Sequence, residues 1–201
     1  MPKESPDINI SASNILSTIL NPLFSLLFFF GFYAYKKMEY HMALKNLGLM
    51  IFFVVIPIFG WIYWHVKSGR YTNMDVSDRK QRNSLYIFNF IITAVYIEIL
   101  NLTQQEFSFI LINIFLLILM MTMHFSNFFI KSSMHTSFNV FVSVLFFNLN
   151  PYFGFFWLGL TVLLGISRVI LKRHTPKEVF MGASIATIIS IVYLYFDIQN
   201  Q

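Results

Sequence analysis

Cysteine is absent from the 201-residue sequence and charge is scarce: Lys, Arg, Asp and Glu together make up 11% of the residues, against 57% apolar. The first absence excludes a disulfide framework, thiolate-bound zinc or iron–sulfur centres, a cysteine nucleophile and S-palmitoylation. The second excludes a soluble globule. Water-soluble domains carry roughly 25% charged residues, and a short chain has proportionally more surface to clothe, not less. The solvent implied by this composition is lipid. Repeats and low-complexity tracts are also missing, although phenylalanine is heavily used, with 25 residues.

Apolar stretches run over 15–34, 46–66, 85–100, 107–129, 138–149, 152–166 and 179–196. A bilayer-spanning helix needs about 20 such residues, which the first four and the last approach. The fifth lengthens if a helix starts near His135, and Asn150-Pro151 is a turn signal that splits the fifth and sixth into a hairpin. The expectation is all-α: a polytopic transmembrane helix bundle of six to seven spans, forming one integral-membrane domain over 1–201 with a polar leader at 1–13. The first stretch follows Glu4 and Asp7, exceeds the length of a signal peptide and lacks a small-residue cleavage site, so it reads as an anchor.

If the crossings alternate, the polar loops at 67–84, 130–137 and 167–178 share one membrane face. With the leader, that face holds 11 of the 14 basic residues, and only Lys36, Lys37 and Lys45 lie opposite. Two explanations stand side by side. Lys and Arg accumulate in cytoplasmic loops, and Arg79, Lys80, Arg82, Lys131 and Arg168 could ring a phosphate. A nucleic-acid partner does not fit, because the cations sit in short loops tethered at the membrane and not on a broad soluble face.

The third loop reads Ser167-Arg168, five residues, His174, three residues, Glu178, with Gly182 opening the next span. The second reads Lys131-Ser132-Ser133-Met134-His135, and the first Asp78-Arg79-Lys80-Gln81-Arg82. Two histidines, each at the mouth of a helix and accompanied by Ser and Arg, suit phosphoryl transfer. One imidazole attacks phosphorus, the other protonates the leaving oxygen, and cations with helix N-termini hold the charged oxygens.

These three motifs, in this order from Asp78 to Gly182, resemble the type 2 phosphatidic acid phosphatase family, the membrane lipid-phosphate phosphatases related to vanadium haloperoxidases. Ser167, Arg168 and His174 match the family's third motif in spacing, with Glu178 where an Asp is usual. Ser132-Ser133-Met134-His135 stands where Pro-Ser-Gly-His is usual, and the first motif is a short Asp-Arg-rich run, as in a divergent bacterial branch. The resemblance implies that His174 is the nucleophile forming a phosphohistidine, that Glu178 orients it, and that His135 is the general acid. It further implies that Arg168, Arg79 and Arg82, with Lys80 and Lys131, bind phosphate oxygens, and that Ser133 and the Met134 amide complete the cradle. No metal or cofactor is implied. The active site would lie at one membrane interface, and the partner would be a phosphorylated membrane lipid: undecaprenyl pyrophosphate, phosphatidylglycerophosphate, phosphatidic acid or a lipid A phosphate. The expected location is a bacterial cytoplasmic membrane.

The same residues carry plainer readings. Thr175-Pro176-Lys177-Glu178 is a helix N-cap signature, so Glu178 can cap the last span while also orienting His174. Ser132 or Ser133 can cap the fifth span. His65, beside Trp61 and Trp64, reads as an interfacial aromatic belt, and His124, about one turn before Asn127, as a partner in a buried hydrogen bond between helices. An alternative function from another class is a non-catalytic lipid-phosphate binding or transport protein using the same cationic face.

Overall fold

The computed structural model describes residues 8–200; positions 1–7 of the expected leader lie outside them. Among the described residues the chain is helical and contains no strand. The helices are α1 (Ile8–Ile19), α2 (Pro22–Lys37), α3 (Tyr40–Met50), α4 (Ile56–Lys67), α5 (Arg82–Leu102), α6 (Phe107–Ser126), α7 (Met134–Leu149), α8 (Pro151–Ile170) and α9 (Pro176–Gln199), with a π-helical turn at Ile51–Val55 between α3 and α4.

Five helices are long and apolar enough to cross a membrane: the continuous Tyr40–Lys67, α5, α6, α8 and α9. The pair α1 and α2 makes a sixth if taken as one bent span, and α7 is a shorter apolar helix. Phe52, Phe59, Phe155, Phe156, Ile188 and Ile191 stand exposed on these helices. Exposed apolar surface on that scale belongs in lipid and not in water. The protein is an integral, multi-pass membrane helix protein.

Its elements differ from the apolar runs at three places, each with a physical cause. Helix α1 begins at Ile8, inside the expected leader, and the expected first span is broken by a 52° bend. Pro22 has no amide with which to continue the α1 ladder, and it biases Asn21 toward extended backbone. The chain restarts with the Asn21 side chain accepting the Leu23 amide at 3.1 Å. The second difference is the π turn, where the Ile56 amide reaches back five residues to the Ile51 carbonyl. It directly precedes Pro57, whose missing N–H disrupts the regular ladder. The third is that α7 starts at Met134, one residue before His135, because Ser133 caps it.

The chain divides into two units. The first comprises the described residues up to Phe29 together with Lys131–Thr187, and the second comprises Phe30–Ile130 with the residues from Ile188 onward. In the first unit α7 packs along α8, and α1 packs on α8. Eleven of the 16 residues of α7 are buried, so this short helix is surrounded largely by protein and its length need not match the bilayer. Asn139 at its centre is fully enclosed. Its amide nitrogen donates to the Leu20 carbonyl, left at the α1–α2 break, and to the His135 carbonyl, both at 2.9 Å. Its oxygen accepts from Ser25 Oγ at 2.9 Å and Trp157 Nε1 at 3.0 Å. Every polar atom of that side chain is thereby satisfied, as a group away from water requires.

In the second unit α5 pairs with α6, and α4 packs on α5. The loop after α4 is held by aromatics: His65 lies 4.2 Å from the Trp61 ring and 4.7 Å from Tyr71, and the Tyr71 hydroxyl bonds both Trp61 Nε1 and Ser84 Oγ. His65 is therefore a buried packing residue within this aromatic cluster.

The α7–α8 hairpin turns on the single residue Asn150, whose side chain accepts the Tyr152 amide at 3.0 Å. It brings the helices so close that a Cβ on Gly154 would sit 2.5 Å from Phe147 Cα. Gly154→Ala gains about 1 kcal/mol of helix propensity but collides with backbone that cannot rotate away. We expect a net loss of about 2 kcal/mol or more, read as a lower unfolding midpoint in detergent.

Candidate functional site

The site is built where the starts of α7 and α9 meet within the first unit. Ser133 is the N-cap of α7, its oxygen accepting from the Thr136 hydroxyl at 3.0 Å and the Thr136 amide at 3.4 Å. The Ser133 amide donates to the Glu178 carbonyl at 3.0 Å. One turn on, the Ser137 hydroxyl lies 2.9 Å from both the Ser133 and Gly182 carbonyls. Gly182 permits this approach: a Cβ there would be 2.7 Å from the Ser133 carbonyl oxygen and 2.8 Å from Ser137 Oγ.

The segment between α8 and α9 folds back on the end of α8. The Arg168 carbonyl accepts the amides of Arg173 and His174 at 3.1 and 3.2 Å. The turn requires Lys172 to adopt a left-handed backbone, φ 53°. From the α7 side, the Lys131 ammonium donates to the Arg173 carbonyl at 2.9 Å. Partial burial pulls the Arg173 guanidinium below its ordinary pKa, though an arginine keeps its charge at neutral pH. Arg168 itself is fully buried, and its Nη1 donates to Ser17 Oγ of α1 at 2.8 Å. A cation withdrawn from water attracts an anion more strongly than one in solvent.

His174 is held at both ends of its residue. Its backbone is tied to Arg168, and its Nδ1 lies 2.9 Å from Glu178 Oε2. The same carboxylate oxygen accepts the Thr175 amide at 3.1 Å, while Thr175 Oγ1 accepts the Glu178 amide at 3.3 Å. This is a reciprocal capping box. The plain and the chemical readings of Glu178 coexist in one atom: it caps α9 and fixes the imidazole. With Nδ1 donating to the carboxylate, the ring's lone pair lies on Nε2.

His135, the second residue of α7, is buried in the same unit, and Met134 supplies the first helical amide, at a terminus suited to anions. His135, His174, Glu178, Arg168, Lys131, Ser133 and Met134 thus all belong to the first unit.

Arg79, Lys80 and Arg82 belong to the second unit. There Asp78 Oδ1 accepts the Lys80 and Gln81 amides at 2.8 and 3.1 Å, opening the turn into α5. Arg79 Nε donates to the Asn127 carbonyl at 2.6 Å, and the Asn127 side chain returns a bond to the Arg79 carbonyl at 3.2 Å. Buried Arg82 donates from Nε to the carbonyl of Val76 at 2.9 Å. Val76 is β-branched yet sits at φ 45°, a conformation that persists only where its surroundings over-determine it. The Nε groups of both arginines thus position the loop. His124 does not make the expected hydrogen bond from its buried Nδ1; it packs its ring against Tyr86 and Phe90, at 5.2 and 5.6 Å, because its neighbours there are aromatic faces.

Sequence reasoning missed Ser17 and Asn139. Ser13 and Ser17, four apart on α1, are both buried; that spacing was the available signal, as was an Asn early in the apolar run of α7. Among the described residues, no group of three or more His, Asp and Glu side chains could hold a metal ion. No protein-family model, curated protein or solved structure matches the chain.

Two expectations follow from this geometry. Gly182→Ala would force the α7 and α9 starts apart, with a loss of about 1–3 kcal/mol, measurable as a lower thermal midpoint. Glu178→Ala should cost about 1 kcal/mol through the lost cap, whereas Glu178→Gln, which can still accept the Thr175 amide, should unfold within about 0.5 kcal/mol of the parent.

Proposed function

We propose that this protein is a metal-independent phosphatase that hydrolyses a phosphomonoester or pyrophosphate of a membrane lipid in a bacterial cytoplasmic membrane. The observation that carries this reading is the Nδ1–Oε2 contact of His174 and Glu178, in a loop bonded to the backbone of buried Arg168. The family resemblance of the three motifs adds the assignment of roles.

In the proposed reaction His174 Nε2 attacks phosphorus. An N–P bond forms as the P–O bond to the lipid breaks, and the lipid oxygen leaves with a proton from His135. Glu178 stabilises the imidazolium that develops, because its charge lies on the far nitrogen. Water, deprotonated by the now neutral His135, then attacks the phosphohistidine. The N–P bond breaks, inorganic phosphate departs, and both imidazoles return to their starting states. Arg168 and the Ser133–Met134 helix start are suited to hold the phosphoryl oxygens, where fixed donors act most strongly on developing charge. Lys131 is a further cation of the first unit for the same anion. A phosphate confined to the membrane boundary suits the candidate lipids: undecaprenyl pyrophosphate, phosphatidylglycerophosphate, phosphatidic acid and lipid A phosphate.

The test is phosphate release from these four lipids in EDTA-containing buffer, together with acid quenching of enzyme fed a lipid labelled in its phosphate. The parent protein should turn over at least one lipid, be inhibited by vanadate and yield an acid-labile phosphoprotein. His174→Ala should lose both turnover and label, by at least about 10³-fold. Undiminished turnover in that variant removes His174 as nucleophile. Tight lipid binding by the parent without release would point instead to a binding or transport protein.

A further inference from the structure

A second feature of the first unit adjoins the histidines. A cavity of about 620 Å3 opens between α7, α8 and α9. Thr136 and Val140 of α7, Val162 and Val169 of α8, and Val179 and Ala183 of α9 line it. No charged side chain contributes to the lining. Three threonines do, and each hydroxyl already donates within the protein: Thr136 to Ser133 Oγ at 3.0 Å, Thr161 to the Trp157 carbonyl at 2.8 Å, and Thr187 to the Ala183 carbonyl at 2.9 Å. The walls therefore offer a polar ligand little to bond. They are shaped for hydrocarbon.

Position narrows the occupant. Three segments that carry candidate site residues also line the cavity: Thr136 follows His135, Val169 follows Arg168, and Pro176 and Val179 bracket the turn that bears Glu178. Val162 and Phe180, which also line it, are 58% and 75% exposed, so the groove opens on the outer surface of apolar helices, where the surrounding medium of a membrane protein is hydrocarbon. It is too small for a partner helix, since a membrane-crossing helix about 10 Å across and 30 Å long displaces on the order of 2,000 Å3.

We propose that this groove is the seat of one hydrocarbon chain of the lipid whose phosphate binds at His174 and Arg168. The inference rests on the lipid-phosphate reading above and deepens it: the substrate is selected by a tail as well as by an anion. Lipid tails are as apolar as the groove walls, so a chain gains no hydrophobic free energy by leaving the bilayer for the groove. The groove acts by shape. It aligns the chain beside the α7 and α9 starts, so that the phosphate arrives at Nε2 in one orientation, which is where positioning contributes to rate. Ala183 is the residue whose small side chain keeps the lane open at mid-length, and Leu158 lines it from α8.

The test uses a hexadecyl phosphate carrying a photoactivatable diazirine near mid-chain, with the full-length protein in lipid nanodiscs, and the matching hexadecanol probe as control. Label should fall on α8 and α9 around Leu158, Val162 and Ala183, and should be much weaker with the alcohol. Ala183→Trp and Leu158→Trp, each filling the lane from a different helix, should abolish that label. They should also lower the ratio of hexadecyl phosphate to phenyl phosphate turnover by about tenfold or more. Groove labelling by a protein that releases no phosphate would overturn the phosphatase reading while the tail seat stands. Phosphate release with label elsewhere, and a turnover ratio unchanged in both variants, would overturn the tail seat alone. Neither labelling nor release would overturn both.

Discussion

The first unit is organised around a contact between two backbones. The Ser133 amide meets the Glu178 carbonyl, and Gly182 lets the next turn of α9 come within reach of the Ser133 carbonyl and the Ser137 hydroxyl. Two helix N-termini are thereby brought side by side at one end of α7 and α9. Had residue 182 any side chain, the helices would separate by the width of a methyl group. The capping serine, the first amide of α7 and the carboxylate of α9 would then no longer share a site. A chemically silent residue thus sets the spacing between the two helix starts.

Around that contact, single groups serve two purposes. Glu178 Oε2 closes the capping box of α9 and holds His174 Nδ1, so helix formation and imidazole orientation cannot be separated. The Arg168 carbonyl terminates α8 and anchors the His174 amide, while its guanidinium reaches Ser17 on a helix 151 positions away in sequence. Asn139 satisfies the carbonyl exposed at the Pro22 break. In a lipid setting an unmet backbone group costs several kcal/mol, which explains why such bonds occur at the points where the regular ladders fail.

Much of the fold was legible from composition and run length. Each apolar run is largely helical, the first broken at Pro22 and the second interrupted by a π turn, and the Asn150-Pro151 hairpin appears with Asn150 as the cap. The Thr175–Glu178 capping box was legible for the same reason: its partners lie three residues apart, and local spacing alone determines whether they meet. The bend at Pro22 and the π turn before Pro57 were less apparent, because an apolar count registers hydrophobicity but is blind to a missing amide. The sequence marked Ser17 and Asn139 only as polar positions on their helices, since the role of each is defined by a partner on another helix.

By itself, then, the sequence determined the solvent, the all-helical class, the caps and the pairing of His174 with Glu178, because all of these depend on composition or on residues within one or two turns of each other. Only the tertiary structure decided that Gly182 admits the α7 start, that Arg168 is buried against α1, that Lys131 bonds the Arg173 carbonyl, and that an apolar cavity adjoins the candidate site. Those features arise where helices distant in sequence approach closely, and their spacing is set by side-chain volume at the crossing, which no local pattern encodes.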